Sequence, residues 1–386
     1  MDGLLEAEAR SPPLPKLDGQ APKTLPSLPT EILQRIIQLA LPRLSYKTFR
    51  ERYDVLLILC RVNKLWASLA REELWRHLGL IDRQTAQILL SVLPIAEAGG
   101  PTIRSLRLLF SSDDWEAHRL QSSQAEALMA ASPRLRVLHI VTAQEPHASL
   151  DWESLSAVLR DLEDLTLDFT TLILRPPESI LPGPRLRRLT LAFPPEPTFV
   201  ATLLSSVDFP NLNALVVLIG REFRCAEDLV TLGKVLVDYS ARLKAFTFAF
   251  ASAARHTKLE DAVWSSFTNL LTLALDYDSP FVDILPLLSA PVVGLRLRPP
   301  YSYDERFSLH SSFHVLINAM SSSPKVLDTL ERIVIPSREE WMVEHDEAAR
   351  CSLAEICLGR GIELVEKPND ALDDYIEYVE DALDAW

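Results

Sequence analysis

Leucine and its apolar relatives recur along most of this chain in one short pattern, L-x-x-L-x-L. It reads Ile103-x-x-Leu106-x-Leu108, Leu135-x-x-Leu138-x-Ile140, Leu162-x-x-Leu165-x-Leu167, Leu186-x-x-Leu189-x-Leu191 and Leu212-x-x-Leu215-x-Val217. It continues as Leu243-x-x-Phe246-x-Phe248, Leu270-x-x-Leu273-x-Leu275, Val292-x-x-Leu295-x-Leu297 and Leu330-x-x-Ile333-x-Ile335. Successive starts lie 22 to 38 residues apart. The alternating end of each triplet predicts a short strand. Helical spacing follows, at 124–131, 151–159, 199–207, 227–239, 259–267 and 311–320. Ser132-Pro133, Pro182-Gly183-Pro184 and Phe209-Pro210 punctuate the returns. A strand–helix unit this small cannot bury its apolar face alone, so units stack and share a core. The expected class is α/β, an irregular solenoid with parallel strands. A doubly wound parallel sheet is the alternative that the same alternation allows.

Ahead of the repeats the pattern is purely helical. In Leu28-Pro29-Thr30-Glu31-Ile32-Leu33, Pro29 suits a first turn and Glu31 sits near the positive helix end. Ile32, Leu33, Ile36, Ile37, Ala40 and Leu41 then recur at helical spacing and predict one apolar face. A second stretch runs from Val55-Leu56-Leu57-Ile58-Leu59 through Cys60-Arg61-Val62-Asn63-Lys64-Leu65-Trp66 to Leu74-Trp75. Helices this apolar need a partner surface.

The residues Leu28-Pro29-x-Glu31-Ile32-Leu33, Ile36, Val62-x-Lys64-x-Trp66 and Leu74-Trp75 resemble an F-box. The resemblance implies an N-terminal three-helix module that binds the Skp-type adaptor of cullin-based ubiquitin ligases. The residues matching the motif are Leu28, Pro29, Glu31, Ile32, Ile36, Val62, Lys64, Trp66 and Trp75. The connection 42–54 is longer than the family's usual short turn. The triplets in turn resemble leucine-rich repeats, a known companion of the F-box, which supply the surface for a protein substrate. They depart from that family after the last leucine. Ser111, Ala143, Thr170, Pro194, Gly220, Ala251, Asp278, Pro300 and Arg338 stand where Asn or Cys is usual. The chain therefore reads as a disordered tail (1–25), an F-box-like module (26–80), a repeat solenoid (81–368) and an acidic amphipathic C-terminal helix (369–386).

Composition changes the picture in a few places. The net charge is −14, and seven acids with no base fall within 369–386, where Leu372, Tyr375, Ile376, Val379, Leu383 and Trp386 recur at steps of three and four. From Lys23 to Arg83 eleven lysines and arginines face six acids, a surface drawn to an acidic partner. An acidic chain argues against non-specific nucleic-acid binding. No apolar run reaches a membrane span, and residues 1–6 do not read as a signal peptide. Cys60, Cys225, Cys351 and Cys357 make no disulfide framework, which fits the cytoplasm or nucleus.

Catalytic chemistry is hard to find in the sequence. There is no phosphate-binding glycine loop, no Gly-x-Ser-x-Gly and no His-Glu-x-x-His. His310 and His314 have a metal-compatible spacing but lack a third ligand, and Glu344-His345-Asp346 lies in a charged run that reads as a solvated helix face. Cys351 and Cys357 flank one expected helix and read as buried small apolar residues. No metal, cofactor or catalytic residue is assigned. Residues between the repeat leucines would look into the solenoid's inner face, which nominates Asp164, Asp168, Val216, Leu218, Thr247, Arg296, Arg298 and Arg332 for a peptide or protein substrate. Covering loops or internal salt bridges are the competing account. The expected role is substrate receptor of a ubiquitin ligase. A repeat scaffold with a non-degradative role and an enzyme with an unrecognised site are the alternatives.

Overall fold

The computed structural model describes residues 28–42, 44, 48–80, 82–96, 102–110, 120–142, 148–168, 170–173, 181–192, 198–219, 226–250, 259–276, 279–298, 310–321, 328–336 and 344–367. The expected N-terminal tail and C-terminal amphipathic helix lie outside them, as does Cys225. The chain divides into two units, 1–42 and 43–386. The described part of the first is α1, Thr30–Ala40. Pro29 precedes this helix instead of opening its first turn, and its carbonyl accepts from the Ile32 and Leu33 N–H groups at 3.0 and 3.1 Å.

The second unit begins with α2 (Phe49–Leu59) and α3 (Lys64–Arg76), so the second apolar stretch is broken at 60–63. Asn63 causes the restart. Its side-chain oxygen accepts from the Leu65 and Trp66 N–H groups, both at 3.0 Å, capping α3. From α3 the chain passes directly into β1 (His77–Leu80), then α4 (Arg83–Ala96), β2 (Ser105–Phe110), α5 (Ser122–Ala130) and β3 (Val137–Thr142). Next come β4 (Ala148–Asp151), α6 (Trp152–Leu159), β5 (Asp164–Asp168), β6 (Thr170–Ile173), β7 (Leu181–Pro182), β8 (Arg188–Ala192), α7 (Phe199–Ser206) and β9 (Val207–Asp208). The remainder is β10 (Ala214–Ile219), α8 (Ala226–Ser240), β11 (Ala245–Phe250), α9 (Asp261–Ser266), β12 (Thr272–Asp276), α10 (Phe281–Ile284), β13 (Gly294–Arg298), α11 (His310–Ser321), β14 (Arg332–Pro336), α12 (Glu344–Arg360) and β15 (Glu363–Lys367).

Eleven of these strands form one parallel sheet in the order β1-β2-β3-β5-β8-β10-β11-β12-β13-β14-β15. The order follows the sequence throughout, which is a solenoid and not a doubly wound sheet. The skipped strands pair apart, β4 with β6 and β7 with β9. The central residues of the nine triplets stand in one row: Leu106, Leu138, Leu165, Leu189, Leu215, Phe246, Leu273, Leu295 and Ile333. Leu78 and Leu364 extend the row at its ends. Apart from half-buried Leu364, every member is buried under the helices, and each such side chain stabilises the fold by roughly 1.5–3 kcal/mol.

Local exceptions have local causes. Phe246 replaces leucine in its triplet, and the covering residues there are aromatic, with Phe267 at 5.0 Å and Trp264 at 6.1 Å between ring centroids. Tyr239 of α8 donates to the Leu204 and Val207 carbonyls and ties one repeat to the previous one. Gly361 ends α12 with φ +74°, and the Ile362 N–H returns to the Cys357 carbonyl at 2.8 Å before β15 begins. Cys357 is buried, and burial pushes its thiol up to about 11, but Cys351 is exposed. The two lie six residues apart, which points them to different sides of the helix.

Candidate docking surfaces and the inner face

Helix α1 is apolar on two sides. Leu33, Ile37 and Leu41, four residues apart, are buried. Ile32, Ile36 and Leu39 are 48, 41 and 69% exposed, and Leu28 just ahead of them is 50% exposed. The single apolar face read from the sequence is therefore two stripes, one satisfied and one open. Pro29 and Glu31 are also exposed. In the second unit, Leu57 and Ile58 at the end of α2, Val62 in the break and Leu65 in the first turn of α3 are exposed, Ile58 by 62%. Lys64 is exposed and Trp66 half-buried. Trp75 behaves differently. It is half-buried and packs against the core of the repeats.

The stretch 42–54 is not all connection, because α2 begins at Phe49, and the residues of its first turns have a structural use. The Phe49 ring lies against Gly79 of β1, so closely that a Cβ there would stand 2.9 Å from a ring carbon. It also underlies the Arg107 guanidinium at 5.7 Å from its centroid. Gly79 and Arg107 are register partners, so α2 covers the inner face where β1 meets β2. The Tyr53 hydroxyl accepts from the Gly79 N–H at 3.0 Å and donates to the His77 carbonyl at 3.1 Å. Buried Glu73 of α3 binds Arg52 at 2.7 Å and Arg76 at 2.9 Å. Burial, then the positive charge of Arg52, Arg107, Arg76 and Arg104, lowers His77 to about 3.

Charge continues inward across four strands. Arg107 Nε donates to His139 Nδ1 at 3.0 Å, His139 Nε2 faces Asp164 Oδ2 at 3.2 Å, and Arg188 Nη1 donates to the same oxygen at 3.2 Å. An accepting Nδ1 makes His139 neutral, and burial lowers its affinity for a second proton. Burial would raise Asp164, but His139, Arg188 and Arg107 outweigh it and hold the carboxyl at about 2. The network is buried, and within it His139 Nε2 and Asp164 Oδ1 lack a hydrogen-bond partner among the described residues.

The nominated inner-face residues lie on one side of the sheet, as their register requires. Asp164, Asp168, Val216, Leu218, Thr247, Arg296 and Arg298 are all buried. Arg332 alone is exposed, and it pairs with Glu363 at 2.7 Å. What the sequence did not single out is a basic groove at the strand-start edge, lined by Thr102, Arg104, Pro133, Arg134, Arg136, Asp161 and Arg185. The signal was available, since these arginines recur at matched positions before successive strands, but the leucine pattern does not mark them. His310 and His314 share α11, and Glu344-His345-Asp346 opens α12. Among the described residues no three His, Cys, Asp or Glu side chains gather at metal-binding distance, and no helix is long and apolar enough to cross a membrane.

Comparison with known proteins agrees with the N-terminal reading. Residues 25–81 match the F-box-like family model. No curated protein matches the sequence. A crystal structure of a Bacteroides fragilis protein, a structural-genomics target, is 11% identical, with 76% of this chain and 74% of that one covered at a TM-score of 0.42. A likeness that slight says nothing of function.

Proposed function

We propose that this chain is the substrate-recognition subunit of an SCF-type, cullin-based ubiquitin ligase. Its F-box-like helices hold the Skp-type adaptor, and through it the cullin, while the repeat domain holds a protein substrate. The observation that carries the reading is the open stripe of α1, Leu28, Ile32, Ile36 and Leu39, within a segment that matches the F-box-like family. Apolar side chains left exposed beside a satisfied stripe of the same helix mark a surface that a partner covers. On α2 and α3, in the second unit, the exposed or half-buried Leu57, Ile58, Val62, Lys64, Leu65 and Trp66 are a further set offered to the adaptor, and Trp75 supports that set from the core side. No residue of the chain performs chemistry. The gain is proximity, which raises the effective concentration of a substrate lysine near the conjugating enzyme.

The test is calorimetric titration of the adaptor into the full chain. Ile32→Ala together with Ile36→Ala should weaken binding at least about a hundred-fold, because central apolar anchors cost about 2 kcal/mol or more each when truncated. Both side chains are exposed, so the fold stays intact. Undiminished affinity with a native circular dichroism spectrum sinks the proposal.

A further inference from the structure

The groove at the start of the strands is chemically unlike the rest of this acidic chain. It is a cavity of about 290 Å³ lined by four arginines and one acid. All of its lining residues but Pro133 come from two positions of the repeat. Thr102, Arg134, Asp161 and Arg185 each lie three residues before a strand of the sheet, and Arg104 and Arg136 one residue before. The parallel register stacks these positions along one edge, across β2, β3, β5 and β8. In the next repeat the same two positions are Asn211 and Asn213, so the arginine cluster stops there.

The charges inside the groove do not balance. Arg185 pairs with Asp161 and Arg136 with Glu163, both at 3.1 Å. No carboxylate among the described residues pairs with Arg104 or Arg134, and all four guanidinium-bearing residues are exposed. Like charges held together in a concave site focus the field on an anion, and guanidinium groups bind carboxylates through paired N–H donors. Three inter-strand steps of about 4.8 Å give the row a length of roughly 14 Å, matching about four residues of extended peptide at ~3.3 Å each. The wall residue Pro133 adds an apolar contact.

We infer that this groove binds a short acidic peptide segment of a partner protein, laid across the strand ends. The inference rests on the reading of the repeat domain as the protein-binding half. It assigns that domain an acidic recognition sequence and places it on the edge of the sheet instead of its inner face. A nucleic acid would also meet the arginines, but a chain of net charge −14 repels a long polyanion beyond the groove. The chain's own acidic segment, 369–386, is the competing occupant, which truncation separates from a partner's peptide.

The test is fluorescence anisotropy of a labelled glutamate-rich peptide with the full chain, without adaptor, so that failure of adaptor docking leaves it untouched. The expected result is binding that weakens with salt, falls at least about ten-fold in R104E/R134E, and stays within about two-fold in K234E, at an exposed lysine of α8. R104Q/R134Q serves if the reversed variant does not fold, with a loss in the same direction. Binding that is absent in the native chain, or unchanged in the folded groove variants, overturns the proposal. Tighter binding of a single-stranded oligonucleotide than of the peptide also overturns it. So does a ten-fold gain in peptide affinity on truncation after Pro368, which would make the groove the seat of the chain's own tail.

Discussion

Arg107 on β2 donates from Nη1 to the carbonyl of Leu44 at 2.7 Å, across 63 positions of sequence. The bond anchors the connection before α2 to the inner face of the sheet. With Phe49 on Gly79 and Tyr53 on the β1 backbone, it seats α2 on the first repeat. The direct passage from α3 into β1 does the same for the second helix. These two helices and the sheet they sit on are continuous, with no linker between them.

The contact at Gly79 predicts a pair of variants. Gly79→Ala should destabilise the chain by about 1–3 kcal/mol, since the new methyl meets the Phe49 ring. In a Phe49→Leu background the same alanine should cost much less. Urea denaturation of the four proteins measures the coupling. Strictly additive costs would show that the ring and the glycine are not in contact.

Leu189 stands in the middle of the row, fully buried between Leu165 and Leu215. Leu189→Asp places a carboxylate in that core and should cost more than about 4 kcal/mol. Because each repeat shares its core with its neighbours, amide exchange should rise in β5 and β10 as well as β8. Exchange confined to β8 would argue against a shared core.

The buried histidines predict acid sensitivity. His77 titrates at about 3 in the fold and near 6.5 when unfolded. Between these values the unfolded chain binds the additional proton, so stability falls as pH falls, by about 1.4 kcal/mol per pH unit for this residue. His139 acts in the same direction. Asp164, at about 2 when folded, adds a further loss below about pH 4. Urea midpoints measured from pH 7 to 5 should decline, and His77→Gln should make the decline shallower by about one proton. An equal slope in native and variant chains would remove His77 as its source.

How much of this was legible in the sequence depended on repetition. Nine triplets are in register because each leucine faces the same demand, burial against the next unit, and period and burial are linear properties of a chain. The end strands broke the pattern. Before Leu78 the leading position is Trp75, a helical residue that nonetheless packs on the core, and before Leu364 it is Gly361, which the helix end requires. The open stripe of α1 was also visible in outline, since Ile32 and Ile36 alternate with Leu33 and Ile37. Which stripe is buried was not, because it depends on what lies beside the helix. Tertiary structure alone decided which inner-face charges become neighbours. Arg107, His139, Asp164 and Arg188 are brought within bonding distance by strand register and covered from above, and neither event leaves a mark on local spacing. It likewise decided that arginines from the turns before β2, β3 and β8 share one groove, since only stacking of the repeats makes neighbours of residues so far apart in sequence.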